Sequence, residues 1–235
     1  MSTIPAGETK ARYINGMFND LSTHYDRASS FIALKRDRFW RDFAASQVDG
    51  CSAKILDVCC GTGELSIRLK DKSASPVTAV DFSPGMLSQA NAKYGKKGVR
   101  FSVADAEALP FPDESFTCAT VSFALRNVTS IEKTLSEMTR VLKKGGKLII
   151  LDLGKPRSAV VRKLYYCYFY SIAPKLGGVL AQKGKYAYSY LPHSLTYFPA
   201  QDGLKKIMED IGLVNVEVHD LTMGIAAVHV GTKAG

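Results

Sequence analysis

Three aspartates recur at one phase of this chain. Asp57 lies in Ile55-Leu56-Asp57-Val58, Asp81 ends an apolar run over 77–80, and Asp105 follows another over 100–103. Between the first two lies a glycine turn, Cys59-Cys60-Gly61-Thr62-Gly63-Glu64. Ionised carboxylates only accept hydrogen bonds, so the set suits a ligand with hydroxyl donors and positive charge. Asp81 stands about 20 residues beyond the turn, where a carboxylate takes the two hydroxyls of a ribose. The turn lacks the third glycine of a dinucleotide fingerprint, since Ser66 holds that position. No Gly-Lys-Ser or Gly-Lys-Thr of a phosphate loop follows either. Asp57 and Glu64 make the pocket more acidic than a pyrophosphate favours. S-Adenosylmethionine carries a sulfonium, an ammonium and two ribose hydroxyls, has no phosphate, and meets these constraints.

The elements that must position these residues follow from periodicity. Residues 54–58, 77–80, 100–103, 116–122 and 148–153 read as apolar strands. Amphipathic segments lie between them, such as Leu65, Ile67 and Leu69. Strands alternating with helices predict an α/β, Rossmann-like, mostly parallel sheet, with ligands at the carboxyl ends of its strands. Ser83 and Pro84 suit the N-cap and first position of a helix, with Met86 and Leu87 in its first turn. Thr129 with Glu132 predicts a capping box for a helix that buries Ile131, Leu135, Met138 and Leu142, and Lys143-Lys144-Gly145-Gly146 ends it. Residues 201–211 form a closing helix, stopped by Gly212. Residues 214–221 and 226–232, joined by Thr222-Met223-Gly224, predict a terminal antiparallel hairpin, for seven strands in all.

Two segments fall outside this rhythm. Residues 12–48 read as an aromatic-rich helical arm that covers the sheet or closes over a flat apolar ligand. Residues 155–200 mix tyrosines (Tyr165, Tyr166, Tyr168, Tyr170, Tyr186, Tyr188, Tyr190, Tyr197) with Lys163, Lys175, Lys183 and Lys185, and read as a functional lid. Without repeats or linkers, residues 1–235 read as a single domain bearing an arm and a lid insertion.

Composition narrows the setting. The formal charge of +9 and pI near 9.3 point to anionic surfaces, either membrane headgroups or nucleic acid. Five cysteines without a spaced framework read as free thiols of a reducing cytosol. No zinc spacing occurs, so no metal is expected. The N-terminal residues lack the apolar core of a signal peptide, and the run 164–174 is too short to span a bilayer.

Several segments together carry a resemblance. They are Tyr25-Asp26, Gly61-Thr62-Gly63, Asp81-Phe82-Ser83, and Ala106 to Asp113. Further on come Leu125-Arg126-Asn127-Val128, Tyr190-Leu191 with Ser194, and Phe198-Pro199 with Gln201-Asp202. From about Tyr13 to Lys233 the chain resembles the class I S-adenosylmethionine-dependent methyltransferases, and within them the UbiE/COQ5 family of quinone-biosynthesis C-methyltransferases. It departs from the family pattern at Ala124 (usually glycine), Thr117 (aspartate) and Lys144 (proline).

The resemblance implies methylation of a ring carbon of an isoprenoid quinol, such as a demethylmenaquinol or a benzoquinol precursor of ubiquinone. It implies cofactor contacts from Thr62, Asp81, Asp105, Ala106 and Ser122, to which the residue reading adds Asp57, Gly61, Gly63 and Met86. Arg126 is the candidate cation that favours phenol ionisation, with Asn127 as positioning donor; an ion pair is its competing role. Tyr25, Asp26 and His229 are further candidates for positioning or proton transfer. Quinol tails reside in lipid, so a cytoplasmic protein held peripherally at the membrane surface is expected, with a homodimer as candidate assembly. The competing readings are a phenol or sterol methyltransferase, a nucleic-acid methyltransferase and a binding protein without catalysis. Amino-methylating nucleic-acid enzymes carry an Asn/Asp-Pro-Pro-aromatic segment after strand 4, which Ser122-Phe123-Ala124-Leu125 is not, so no nucleic-acid partner is expected.

Overall fold

Period-two alternation builds the sheet. Along the fifth strand Leu148 and Ile150 face one side, while Ile149 and Leu151 face the other, and all four are buried. In a computed structural model, residues 7–23, 25–51, 53–173 and 194–235 are described. The strands are β1 (Ile55–Val58), β2 (Val77–Asp81), β3 (Val99–Val103), β4 (Phe116–Ser122), β5 (Leu142–Leu153), β6 (Leu213–Leu221) and β7 (Ala226–Lys233). They form one seven-stranded sheet of order β3-β2-β1-β4-β5-β7-β6. The pairings from β3 through β5 are parallel, and β7 runs antiparallel to both β5 and β6. The expected fold class holds, and the terminal hairpin enters with its second strand inward.

Eight helices carry the argument: α1 (Gly7–Leu21), α2 (Tyr25–Ile32), α3 (Arg36–Ser46), α4 (Glu64–Lys72), α5 (Pro84–Tyr94), α6 (Ile131–Val141), α7 (Ala159–Cys167) and α8 (Gln201–Asp210). One core packs Leu135 and Met138 of α6 and Leu204 and Met208 of α8 onto the sheet. The opposite core packs Trp40, Ala44, Leu65 and Leu69 from α3 and α4. The buried leucines and methionines stabilise by roughly 1.5–3 kcal/mol each, so both faces contribute strongly.

Some local expectations shift. The N-cap of α6 is Ser130, whose hydroxyl accepts from the Lys133 N–H; the Thr129 N–H instead donates to Glu107, which also accepts from Ser130. Lys143-Lys144-Gly145-Gly146 does not cap α6, because β5 begins at Leu142 and runs through it, with a register shift against β4. The arm is helical as expected, and consists of the three helices α1, α2 and α3. Of the lid, α7 and a π-turn over Tyr168–Ile172 are described; Lys175, Lys183, Lys185, Tyr186, Tyr188 and Tyr190 lie outside the described residues.

Asp57 sits inside β1 and is fully buried. Its carboxylate accepts from the Ser66 hydroxyl (2.5 Å) and the Thr120 hydroxyl (2.7 Å), tying β1 to α4 and β4. Burial pushes its pKa up to about 6, against the pull of those two hydroxyls and of Arg41. Such a carboxyl stabilises fully below the unfolded value of about 4 and loses that contribution as pH rises through about 6. Asp57→Asn removes this ionisation. The variant should therefore gain on the natural protein by about 2–3 kcal/mol between pH 4 and pH 7. Urea denaturation at both pH values measures the gain, and a constant difference between the two proteins would overturn this account.

Candidate active site

The turns after β1, β2, β3 and β4 meet at one edge of the sheet. Beside β1 the strand order reverses, with β2 on one side and β4 on the other, and open α/β sheets bind ligands at such a crevice. Two non-glycine residues there adopt left-handed backbone, Cys59 (φ 54°) after β1 and Phe123 (φ 55°) after β4. Strain of this kind concentrates at functional sites. Gly63 (φ 82°) opens α4, and a Cβ there would stand 3.1 Å from the rings of Phe101 and Tyr94. Its role is close packing of the turn, and it does not line the cavity above.

Asp81 is the hub of this edge. Its carboxylate accepts from the Gly61 N–H and the Ser83 N–H, each at 2.8 Å, so one side chain holds the glycine turn and the start of α5. Burial raises its pKa above the ordinary carboxylate value, and the backbone donors oppose that rise. Ser83 caps α5 as the sequence predicts, its hydroxyl accepting from the Met86 N–H at 3.2 Å. The Asp105 carboxylate accepts from the Glu107 N–H at 2.9 Å.

Over this edge lies a cavity walled by acids. Asp81, Asp105, Glu64 and Glu107 line it, with Gly61, Thr62, Met86, Ala106, Ser122, Asn127 and Tyr25. Asp57 does not: its carboxylate turns inward beneath the glycine turn. Thr62 reaches the cavity, but its hydroxyl donates to Asp26 of α2 at 2.5 Å, and Asp26 also pairs with Lys93 of α5. Asp26 thus clasps the arm to the turn. Asn19 of α1 makes a second clasp, accepting from the Gly85 N–H (2.8 Å) and the Ser83 hydroxyl (2.7 Å). A Cβ on Gly85 would stand 2.6 Å from the side-chain amide oxygen of Asn19, so glycine permits this approach.

A second cavity, of about 450 Å³, adjoins the first and is mainly apolar. The arm supplies Leu21, Ile32 and Trp40, and α7 with the following turn supplies Leu164, Tyr165 and Phe169. The two cavities share Phe18, Tyr25, Arg41, Phe123 and Asn127 as common wall. The Tyr165 hydroxyl, on the apolar cavity alone, is buried without a hydrogen-bond partner among the described residues.

Arg126 lines only the apolar cavity. It donates to Asp152 at the end of β5 at 2.6 Å, with side chains 8% and 2% exposed. The sequence-based candidate for acceptor activation is therefore also a buried ion-pair partner. Asp152 stays above the ordinary carboxylate pKa through burial, while Arg126 pulls it down. His229 lines neither cavity; it is buried on β7, one ring nitrogen 2.9 Å from the Gln201 carbonyl oxygen, and burial lowers its pKa. Residue spacing did not single out Arg41 or the Arg126–Asp152 pair, because both depend on contacts between distant segments. Among the described residues no cluster of His, Cys, Asp and Glu is arranged to hold a metal ion, and no helix is long and apolar enough to cross a membrane.

This sheet order with an acid-lined carboxyl edge defines the class I S-adenosylmethionine-dependent methyltransferases. A model of the ubiE/COQ5 methyltransferase family matches residues 6–233, and the chain belongs to that family. It is 38% identical over 231 residues to the ubiquinone/menaquinone biosynthesis C-methyltransferase UbiE of Geobacter sp. (strain M21), covering 95% of this chain and 97% of the relative. Solved structures match in fold alone. A SAM-dependent methyltransferase from Thermotoga maritima aligns with TM-score 0.62 at 21% identity, over 94% of this chain and 99% of its own. The [4+2]-cyclase SpnF aligns with TM-score 0.65 at 17% identity, over 99% of each protein. A shared fold with a cyclase leaves the acceptor chemistry to the site.

Removing Arg126 alone would leave Asp152 buried and unpaired. Arg126→Ala is therefore expected to cost about 3 kcal/mol or more of stability, and Arg126→Ala with Asp152→Asn to recover most of it. Urea denaturation of the two variants measures this. Equal losses in both would show that the pair does not hold the fold.

Proposed function

We propose that this protein methylates a ring carbon of an isoprenoid hydroquinone, a demethylmenaquinol or related benzoquinol, in menaquinone or ubiquinone biosynthesis. One observation carries the reading: an acid-lined cavity suited to a cationic adenosyl ligand abuts a larger apolar cavity across a shared wall. The donor set fits S-adenosylmethionine, with Asp81 for the ribose, Asp105 and Ala106 for the adenine, and Ser122 at the methionine end. When bound, that cofactor supplies a methyl cation equivalent and leaves as S-adenosylhomocysteine, its sulfur keeping the electron pair of the broken S–C bond. The relatives' role in ubiquinone/menaquinone biosynthesis, as their name states it, supports the quinone substrate.

The protein's own residues must orient the acceptor ring and favour its ionised form, since a phenol has a pKa near 10. Tyr25 and Asn127 sit in the shared wall and are positioned to fix the acceptor oxygens. The Tyr165 hydroxyl offers a further donor from the lid side. Arg126 stabilises developing phenolate charge, although Asp152 neutralises part of its field. The ring proton displaced by the methyl group passes to solvent or to a base. The arm and α7 with the turn after it act as two walls of a single catalytic domain.

The apolar cavity also supports a membrane-surface reading. Leu34, Leu164 and Met223 line it and are largely exposed, and Lys35, Arg36, Arg38, Arg162 and Lys163 are exposed near them in the sequence. Such a rim suits a lipid-borne substrate at an anionic leaflet, where each basic residue contributes about 1 kcal/mol. The protein is expected to float with anionic liposomes at low salt and to be released at high salt. No flotation, with or without quinol, would exclude this setting.

Two measurements test the activity. A strain lacking the protein should accumulate a demethyl quinone, and an unchanged quinone profile would overturn the substrate. Asp81→Ala should weaken S-adenosylhomocysteine binding by roughly 2–3 kcal/mol, the scale of hydrogen bonds to a charged group. Unchanged affinity by calorimetry would remove Asp81 from the ribose site.

A further inference from the structure

We propose that Arg41 binds the carboxylate of the cofactor's methionine moiety and so turns the transferable methyl group toward the acceptor cavity; this rests on the cofactor reading above. The first observation is one of charge. Glu64, Asp81, Asp105 and Glu107 line the cofactor cavity, and Arg41 is the one cationic side chain among the described residues lining it. S-Adenosylmethionine carries one carboxylate. In a cavity walled by acids, that carboxylate needs a cation, and Arg41 is the one at hand.

The second observation concerns the guanidinium itself. Arg41 is 8% exposed. Among the described residues its hydrogen bonds leave from Nη1, to the Asp37 carboxylate at 2.7 Å and more weakly to the Asp37 carbonyl oxygen at 3.4 Å. Nε is buried and has no partner among the described residues. Nε and Nη2 form the side-on edge of the guanidinium, the fork that matches a carboxylate with two parallel hydrogen bonds. A buried N–H left without a partner is costly, and a bound carboxylate would supply one. The guanidinium carbon lies 5.1 Å from the centre of the Phe123 ring, which holds its plane in place.

The third observation is position. Along the sheet edge the strands run β3, β2, β1, β4. With adenine at Asp105 after β3 and ribose at Asp81 after β2, the amino-acid end of the ligand extends over the turns after β1 and β4. Arg41 reaches that place, resting on Phe123 after β4, with its charge felt by Asp57 and Glu64 on either side of the glycine turn. It also belongs to the wall shared with the apolar cavity. A carboxylate fixed there anchors the methionine moiety at its far end, and the sulfonium between that anchor and the ribose keeps little freedom to rotate.

Calorimetry with three ligands tests the proposal. S-Adenosylhomocysteine has the carboxylate, its decarboxylated analogue lacks only that group, and 5′-methylthioadenosine lacks the whole amino-acid end. The natural protein should prefer the first over the second by roughly tenfold to a hundredfold, the range of a charge-assisted hydrogen bond. Arg41→Met should reduce that preference to within about threefold and leave 5′-methylthioadenosine binding unchanged, while Arg41→Lys should regain part of it. If Arg41→Met leaves Asp37 buried and fails to fold, Arg41→Met with Asp37→Asn removes the pair together and is read by the same ratio. A preference that survives the loss of Arg41, or equal weakening of all three ligands, would mark Arg41 as a structural partner of Asp37 and overturn the proposal. Failure of the natural protein to bind any of the three would instead overturn the cofactor reading beneath it.

Discussion

Two backbone N–H groups from different turns close on one carboxylate, that of Asp81. This contact fixes the glycine turn after β1 relative to the start of α5. The backbone around it joins β3, since the Ala104 N–H donates to the Asp81 carbonyl oxygen, and the Cys60 N–H donates to the neighbouring Val80. Three strand ends are thereby held in one geometry before any ligand arrives. A carboxylate with two backbone donors keeps lone pairs for further donors. It can organise the turn and still receive a ribose.

The arm depends on this edge. Asn19 reaches the first turn of α5, Asp26 reaches Thr62, and the Trp40 indole N–H donates to Thr222 beside the terminal hairpin at 2.8 Å. Each contact joins an arm helix to a turn at the carboxyl edge. The arm therefore forms the roof of the cofactor cavity and one wall of the apolar one. Because both cavities share that roof, a change in how the arm docks alters cofactor and acceptor together.

Charge is distributed unevenly across the two cavities. Acids outnumber cations in the lining of the first, though Glu64 is paired with Arg68 and Glu107 with Lys133, and this balance favours a cationic ligand and disfavours phosphate. In the second, the Arg126 charge is met by Asp152, so the apolar cavity carries a nearly neutral pair. Burying a lone guanidinium among Tyr165, Phe169 and Leu164 would be far more costly than burying it with its partner. The pair lets a cation stand beside an apolar acceptor at the expense of part of its field.

Local pattern in the sequence determined the α/β sheet, the glycine turn, the Ser83 cap and the phase of the three aspartates, because strand and helix periods are properties of neighbouring residues. It also determined the family resemblance through segments such as Leu125-Arg126-Asn127-Val128. Only the tertiary structure decided which aspartate faces the ligand. Asp57 stands opposite Ala79 of β2, on the same face as Asp81 but two residues deeper along the sheet, where Ser66 and Thr120 enclose it, while Asp81 ends its strand at the cavity. The same applies to Ser130 over Thr129 as cap, a choice of one residue made by Glu107 holding the Thr129 N–H. Arg126 meets Asp152 across β4 and β5, and Arg41 meets Phe123 from a helix far upstream. Spacing along a sequence holds no record of such meetings, since they are set by how separate elements pack.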